Sequence, residues 1–426
     1  MPDFTQIADE NFWHRLVPQL SHSDPIIWDA VIALSCLIQH FQSSGEFVKP
    51  GSKADPIVNE EHRRALTWYG KSIARLRTRL KQATTRSTTA VISCILYICI
   101  ECLQDNCSGA LSLYQRAVAM MEMAPEPDRA ICPTTSASER SLQRSVRALL
   151  QNMSVSQRLP IERERFLGQM TFETLSDARA ELYVLPFAAH DFIVDTIEIR
   201  INQPKDWTPS SVLISRQQHL QTRFRKWHSA LEHMTQSSGR FFTRNEMEAY
   251  SFLHVAYGHY FILLVTGLSM YETDFHTFFP MFQAMVDHAS RIVASRRAEL
   301  RPVFMFETRV IPSLFAVAIK CRHPMIHRQA ISLLRMGTQI ENTWRADAMA
   351  NIAEWTVGIE ESGNIHGIFC AEPSQVELLP ENYRVHWDQV VELRGPDGRP
   401  AKFHQFQMWQ QDENHAWSLV EHTVQI

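Results

Sequence analysis

The chain has 426 residues, of which 45% are hydrophobic and 21% are charged, as expected for a globular protein with a large apolar core. The length fits two or three domains or one large helical body. The net charge of −4 excludes the strong basic excess of a protein that coats nucleic acid, and the 14 glycines argue against glycine-rich nucleotide-binding loops.

The first predicted helix follows an N-terminal segment that lacks the charged start and apolar run of a signal peptide. Asp24-Pro25 precedes the apolar stretch IIWDAVIALSCLIQHF, and this order predicts a helix with Pro25 in its first turn. After a loop rich in Gly, Ser and Pro, residues 62–82 predict a second helix, because apolar residues alternate three and four positions apart. This apolar stripe consists of Leu66, Tyr69, Ile73, Leu76 and Leu80.

The second predicted helix is also basic. A solvated helix face is the usual explanation of such a run of charge. Contact with the phosphate groups of nucleic acid, or a role as an import signal, is the alternative. The basic residues are Arg63, Arg64, Lys71, Arg75, Arg77, Arg79 and Lys81.

The third predicted helix, residues 86–104, is apolar almost all round and should lie at the centre of the fold. Cysteines in or just after it are Cys94, Cys99, Cys102 and Cys107. At about 100° per residue they spread over more than half of a helix circumference, so they cannot share one tetrahedral metal ion. We expect reduced, buried thiols that pack as small hydrophobic side chains.

Two apolar segments resemble membrane spans at first sight. Ala90 to Leu103 is too short to cross a bilayer. Phe252 to Tyr271 is long enough, but it contains His254 and His259 and lacks basic flanks. We therefore predict two buried helices and no membrane association.

Helical periodicity continues towards the C-terminus, whereas 383–393 and 401–409 are rich in Val, Phe, Trp and Tyr and flank the turn sequence RGPDGRP. We predict an all-α fold of roughly ten to twelve helices with a small C-terminal β-hairpin. The expected divisions are a lead-in at 1–20, a helical body at 21–365 and a C-terminal extension at 366–426, packed on that body. The later predicted helices are 108–123, 137–157, 175–201, 209–233, 244–271, 276–298, 306–321, 325–341 and 344–361.

Charged residues, two histidines and a proline lie close together around residues 320–328. His323 and His327 are four positions apart, as in zinc-binding helices, but Pro324 replaces the Glu that would follow the first histidine. We predict that His323 lies just outside a helix that begins at Pro324, so the two rings do not converge on a metal.

The preferred interpretation of this segment is a joint between two helices, with Lys320 and Arg322 near the negative pole of a helix that ends near Cys321. Arg328 is expected to reach Glu341 or Glu307. The alternative is a site that contacts a ligand or a partner protein.

Candidate catalytic residues are few. His254, Tyr257 and His259 are the best set, but His254 and His259 are about 140° apart on a helix and so face differently. No nucleophile elbow, Walker loop, zinc-protease motif or dinucleotide-binding fingerprint occurs. We predict no catalytic residues, no metal ligands and no cofactor, and we assign no cofactor-binding residues.

Several segments, in a fixed order, carry a family resemblance over roughly residues 20–410. They are SDPIIWDAVIALSCLIQHF, EEHRRALTWYGKSIARLRTRL, TTAVISCILYICIECLQDNCSGALSLYQRAVAMME and FETRVIPSLFAVAIKCRHPMIHRQAISLL. This order resembles the regulatory domain of fungal zinc-binuclear-cluster transcription factors, which follows their six-cysteine DNA-binding module. The family's E-G-x-W-D turn appears as Glu341-Asn342-Thr343-Trp344-Arg345, so its Gly and Asp are replaced.

The resemblance implies that 21–365 is a helical regulatory domain and that the protein is a nuclear, non-enzymatic transcriptional regulator or co-regulator. It would act through the transcription machinery or a DNA-binding partner protein, with a small apolar ligand as a modulator, in a metabolic or secondary-metabolite pathway. Only Cys36 lies in the first 90 residues, so the six-cysteine module is missing and we expect no direct sequence-specific DNA binding.

Three alternatives remain open at this point. The chain could be a cytoplasmic ligand-binding or protein-interaction module that has lost regulation. It could be an all-α enzyme with an unrecognised site. The gene model could also begin too late, with an upstream exon that encodes the zinc module.

Overall fold

The computed structural model describes most of the helical body and the C-terminal strands. Everything below refers to residues 13, 17–44, 59–82, 87–104, 106–122, 170–201, 207–238, 242–295, 304–305, 308–341, 344–362, 381, 384–394, 400–411 and 417–425.

The described residues are mostly helical, which confirms the predicted all-α class. A 3₁₀ helix, Glu272–Phe278, immediately precedes α9. The α-helices are α1 (Val17–Ser23), α2 (Pro25–Ser44), α3 (Glu60–Lys81), α4 (Ser87–Leu103), α5 (Cys107–Glu122), α6 (Leu175–Ile201), α7 (Ser211–Ser238), α8 (Arg244–Thr266), α9 (Phe279–Ser295), α10 (Ile311–Lys320), α11 (Pro324–Met336) and α12 (Ala346–Ser362).

The strands are short in the middle of the chain and long at its end. β1 (Phe304–Met305) pairs in parallel with β2 (Ile340–Glu341), and β3 (Trp344–Arg345) follows. The predicted C-terminal hairpin is confirmed as β4 (Val385–Arg394) and β5 (Pro400–Gln411), which pair antiparallel. A third strand, β6 (Trp417–Gln425), which the sequence interpretation missed, pairs with the other edge of β5.

The described elements divide into two compact units. The first unit contains α1 to α5 with β1 and β2, and the second contains α6 to α12 with β4 to β6. The predicted divisions at residues 20 and 365 are not tested by this division and stay predictions. The predicted helix at 137–157 lies outside the described residues.

In the first unit, α4 is buried on nearly all sides, as its composition predicts. Ile92, Ile95 and Leu96 are completely buried, and α2 supplies much of the surrounding apolar surface. Cys94, Cys99 and Cys102 are buried free thiols, and burial raises the pKa of Cys94 to about 11. The interpretation of these cysteines as small hydrophobic side chains is confirmed, except for Cys107, whose side chain lies outside the described residues.

The predicted apolar stripe of α3 is only partly confirmed. Leu76 is buried, but Leu80 is 52% exposed, and the buried line runs through small residues such as Ala65 and Ser72. Ser72 contacts both neighbouring helices, because its hydroxyl lies 2.7 Å from the Ile26 carbonyl oxygen of α2 and 2.7 Å from the Tyr97 hydroxyl of α4. A small polar residue therefore brings α3 close to α2 and α4.

The basic face of α3 is solvated, as the preferred interpretation expects. Three of its arginines form ion pairs, Arg63 with Glu60, Arg75 with Asp29 and Arg79 with Asp24. The other basic side chains of this face, Arg64, Lys71, Arg77 and Lys81, are exposed.

In the second unit, α7 and α8 pack around large aromatic side chains. Trp227 of α7 is completely buried, and its indole Nε1 donates a hydrogen bond of 2.8 Å to the Ala178 carbonyl oxygen. A capping box fixes the start of α8, in which Thr243 accepts from the Glu246 amide and Glu246 accepts from the Thr243 amide. These contacts set the facing surfaces of α7 and α8 on which the candidate site lies.

Neither apolar segment behaves as a membrane span. Across the described part of the chain, no helix combines the length and apolar character that crossing a bilayer requires. α4 and α8 are instead buried within their own units.

Candidate functional site

A cavity of about 500 Å³ lies in the second unit, which is a volume suited to a small molecule. α7, α8, the 3₁₀ helix and α9 supply its walls. The wall is mostly apolar and rich in methionine, with three imidazole rings among the apolar groups. The lining residues are His228, His254, Tyr257, Gly258, Thr277, Phe278, Pro280, Met281, Ala284, Met285 and His288.

Helical periodicity brings these residues to one face of each helix. On α8, His254, Tyr257 and Gly258 are three and four positions apart and therefore share a face. Gly258 lets α9 approach closely, because a Cβ at this position would lie 2.7 Å from Met285 Cγ. Any larger residue at 258 would have to displace the Met285 side chain from the cavity wall.

His228, His254 and His288 form what we call the histidine cluster. The rings of His254 and His288 stack at a centroid distance of 4.6 Å and an interplanar angle of 8°. His228 stacks on Tyr257 at 4.4 Å, and Tyr250 meets His254 edge-on, also at 4.4 Å. Aromatic packing from three helices thus fixes the orientation of the rings.

Burial keeps the imidazoles of the cluster neutral. Burial, followed by the neighbouring histidines and Arg291, lowers the pKa of His254 to about 3. Burial and then Arg291 lower the pKa of His288 to about 4, and burial also lowers the pKa of His228. A neutral imidazole has one nitrogen with a free lone pair, which can accept a hydrogen bond or bind a cation.

Glu232 lies one helical turn after His228 and adds a carboxylate to the edge of the cluster. Its Oε1 lies 3.3 Å from His254 Nε2 and 4.0 Å from His228 Nε2, and it accepts a hydrogen bond of 3.3 Å from the Tyr250 hydroxyl. One potential metal-ligand atom from each of His228, Glu232 and His254, a ring nitrogen or a carboxylate oxygen, lies within 4.8 Å of the other two. His254 Nε2 is buried, and although Glu232 Oε1 is 3.3 Å away, it has no hydrogen-bond partner among the described residues.

The structure brings together only part of the candidate set chosen from sequence. His254 and Tyr257 line the cavity, whereas His259 does not. His259 faces elsewhere, next to Tyr260, and burial lowers its pKa to about 4, with a further contribution from His190. The angular argument for His254 and His259 is therefore correct. His228 and His288 were missed, because they lie on α7 and α9 and only tertiary packing brings them to His254.

The segment around residue 322 is a joint between two helices. α10 ends at Lys320, His323 occupies the N-cap position of α11 without a side-chain capping hydrogen bond, and Pro324 is the first residue of α11, as predicted. Lys320 Nζ lies 2.8 Å from Glu272 Oε1, and the buried Arg322 pairs with Glu360 and lies 3.7 Å from Glu272 Oε2. The cations at the helix end thus neutralise two buried carboxylates.

The same charged residues attach the start of the C-terminal sheet to α12 and to the 3₁₀ helix. The Val385 amide donates to Glu360 Oε1 at 2.9 Å, and Arg384 Nη1 donates to the Glu272 carbonyl oxygen at 3.1 Å. Glu381 accepts from the amides of Glu272 and Thr273 at 2.8 and 3.0 Å. We call this network the polar joint; its members are Glu272, Lys320, Arg322, Glu360, Glu381 and Arg384.

Arg328 pairs with a carboxylate that the sequence interpretation did not name. Its Nη2 lies 2.6 Å from Glu361 Oε1 on α12. Glu307 lies outside the described residues, so the expected pair with it stays a prediction. The group of described residues with metal-holding geometry contains neither His323 nor His327.

Residues 1–180 match the family model described as "Fungal specific transcription factor domain". No curated protein and no solved structure matches this chain. Residues 1–180 are therefore similar to a fungal-specific transcription factor domain, which confirms the resemblance carried by the sequence motifs in this part of the chain.

Proposed function

We propose that this protein is a non-enzymatic transcriptional regulator or co-regulator that works in the nucleus. The match of residues 1–180 to the transcription factor domain carries this proposal. It would act through the transcription machinery or through a DNA-binding partner protein, and control a metabolic or secondary-metabolite pathway.

The cavity of the second unit is the proposed site of modulation by a small molecule. Met281, Met285 and Phe278 offer surface to an apolar ligand body, and the neutral imidazoles offer a few oriented polar contacts. Pockets that combine an apolar wall with few polar groups are typical of small-ligand sites. A ligand that prefers one conformation of this unit would shift the population of active regulator.

The proposed C-terminal extension, 366–426, would act together with the helical body. Support comes from the polar joint, in which Glu360 of α12 accepts from the first residue of β4, Val385. Glu381 adds two hydrogen bonds to the 3₁₀ helix. Such a buried attachment favours an extension that moves with the helices of the second unit.

Cell-based measurements test the regulatory role. A fluorescent tag on the full chain should give nuclear signal, and deletion of the gene should change transcript levels for a coherent set of metabolic genes. A strictly extranuclear protein, together with unchanged transcripts on deletion, would contradict the proposal.

The second candidate is a cytoplasmic ligand-binding or protein-interaction module. The observation that favours it is the position of the cavity, whose lining residues all lie outside the matched residues 1–180. Purification of the tagged chain from its own cells separates the two candidates. Recovery of metabolic enzymes without any transcription component would favour the second.

A further inference from the structure

We propose that His228, Glu232 and His254 bind a divalent transition-metal cation of the Zn²⁺ type at the edge of the cavity. A fourth coordination position would remain for water or for a donor atom of the molecule that occupies the cavity. This inference goes beyond the regulatory role, because it concerns only the chemistry of the second unit.

The donor set selects the class of metal. Two imidazole nitrogens and one carboxylate oxygen are typical ligands of Zn²⁺ in sites that keep one position open. Ca²⁺ and Mg²⁺ prefer sets made only of oxygen atoms, and Cu(I) prefers sulfur. The set therefore favours Zn²⁺, Ni²⁺ or Cu²⁺.

The spacing of the donor atoms is close to what a tetrahedral ion needs. Zn–N and Zn–O bonds of about 2.0–2.1 Å place neighbouring ligand atoms roughly 3.3 Å apart. The distance from His254 Nε2 to Glu232 Oε1 is already 3.3 Å. The 4.0 Å from His228 Nε2 to Glu232 Oε1 exceeds this spacing by about 0.7 Å, which a small shift of the two side chains can close, since they are 34% and 33% exposed.

The local environment of His254 points to an absent binding partner. Its Nε2 is buried and, within the described part of the chain, no atom hydrogen-bonds it, although Glu232 is near. Other buried polar atoms of the described residues also lack hydrogen bonds, but the nitrogen of His254 lies within 4.8 Å of both a carboxylate oxygen and a second imidazole nitrogen, and this combination favours a cation between them.

The surroundings also supply the supporting contacts that metal ligands usually have. The Tyr250 hydroxyl donates to Glu232 Oε1, and this hydrogen bond orients the carboxylate. The stacked His288 ring holds the plane of the His254 imidazole. Because these contacts fix two of the three ligands, little ordering is left for the cation to impose.

Cobalt titration of the purified, metal-free full chain tests the site. Co²⁺ should give the visible absorption of a low-coordinate ion at about one equivalent, and Zn²⁺ should displace it. Glu232→Gln and His254→Gln should each remove the absorption band and weaken Zn²⁺ binding by more than roughly 100-fold, since each removes a ligand. Tyr250→Phe should weaken binding by roughly tenfold, as expected for a supporting contact.

The matched control is His233→Ala. His233 is an exposed histidine of the same helix, next to Glu232, and it is not a member of the proposed site. This variant should bind Co²⁺ and Zn²⁺ as the unaltered chain does. If His254→Gln fails to fold by circular dichroism, His228→Asn replaces it, because His228 is partly exposed and tolerates substitution more easily.

Two results would overturn the proposal. One is a full chain that takes up no stoichiometric Co²⁺ or Zn²⁺. The other is an absorption band that persists in Glu232→Gln and in His228→Asn, which would place the metal elsewhere. Neither result bears on nuclear localisation or transcript levels, so a failure here is distinguishable from a failure of the regulatory role.

Discussion

The polar joint and the histidine cluster are both buried polar regions of the second unit, and they differ in how their groups are paired. In the joint, Glu272 and Glu360 each have a cation within 4 Å, from Lys320 or Arg322. Among the described residues, hydrogen bonds are missing at Glu272 Oε2 and Arg322 Nε of the joint as well as at His254 Nε2 of the cluster. The difference lies in charge: the joint pairs cations with carboxylates, whereas the cluster consists of neutral imidazoles next to one carboxylate, Glu232, at 3.3 Å from His254. A network of opposite charges holds elements together, whereas neutral imidazoles with free lone pairs can accept another molecule.

The largest expected effect comes from breaking the joint. Arg322→Met removes the cation paired with the buried Glu360 and one of the two cations near the buried Glu272, so it should lower the free energy of unfolding by about 3–5 kcal/mol. Arg328→Met is the matched control, because Arg328 is 47% exposed and its pair with Glu361 should contribute only about 0–1 kcal/mol. Urea denaturation of both variants measures the difference; equal losses would show that the joint is not a special network.

An intermediate effect concerns the pH dependence of the joint. Burial alone would raise the pKa of Glu381, but His386 and the amides of Glu272 and Thr273 outweigh burial and lower that pKa from 4.5 to about 2. Because the folded pKa is depressed, the stabilisation is present above about pH 4.5 and is lost as the pH falls towards about 2.

Glu381→Gln should therefore make the loss of stability between those pH values shallower. Urea midpoints measured through this range would show it. Glu354→Gln is the control, because Glu354 is an exposed partner of Arg335 and its replacement should leave the slope unchanged. A Glu381→Gln slope equal to that of the unaltered chain would contradict the role given to this carboxylate.

The smallest expected effect comes from the histidine cluster. His254→Phe replaces an imidazole whose Nε2 is unpaired with a ring of similar shape, so stability in metal-free buffer should change by less than about 1 kcal/mol in either direction. The contrast with Arg322→Met tests the comparison itself. Thermal unfolding measures it, and a loss as large as that of Arg322→Met would show that His254 is structural.

Local signals made much of the fold predictable. α6 has the predicted bounds of 175 and 201, and α11 begins at the predicted Pro324, because proline is favoured in a first helical turn. The strong β-formers around a turn sequence also identified β4 and β5. α7 continues to Ser238, beyond the predicted end at 233, since residues 234–238 contain no Pro or Gly and the first glycine, Gly239, follows directly.

The candidate site was much less predictable, since its residues come from helices far apart in the chain. His228, His254 and His288 lie on three different helices, and for a single histidine on an amphipathic helix a buried residue of no function is the usual explanation. The partners of Arg322 are equally non-local, 38 positions away at Glu360. Hydrophobic patterning fixes which face of a helix is buried, but it does not say which neighbour that face meets.

The central claim, that the chain regulates transcription through the cavity of its second unit, is tested most directly by a variant that fills the cavity. Ala284 lines the cavity and is exposed, so Ala284→Trp should block the space at little cost in stability. Ala294→Trp, at an exposed position of the same helix outside the cavity, is the control. We predict that transcript profiles of Ala284→Trp cells differ from those of unaltered and Ala294→Trp cells; profiles identical to the unaltered strain would contradict the account.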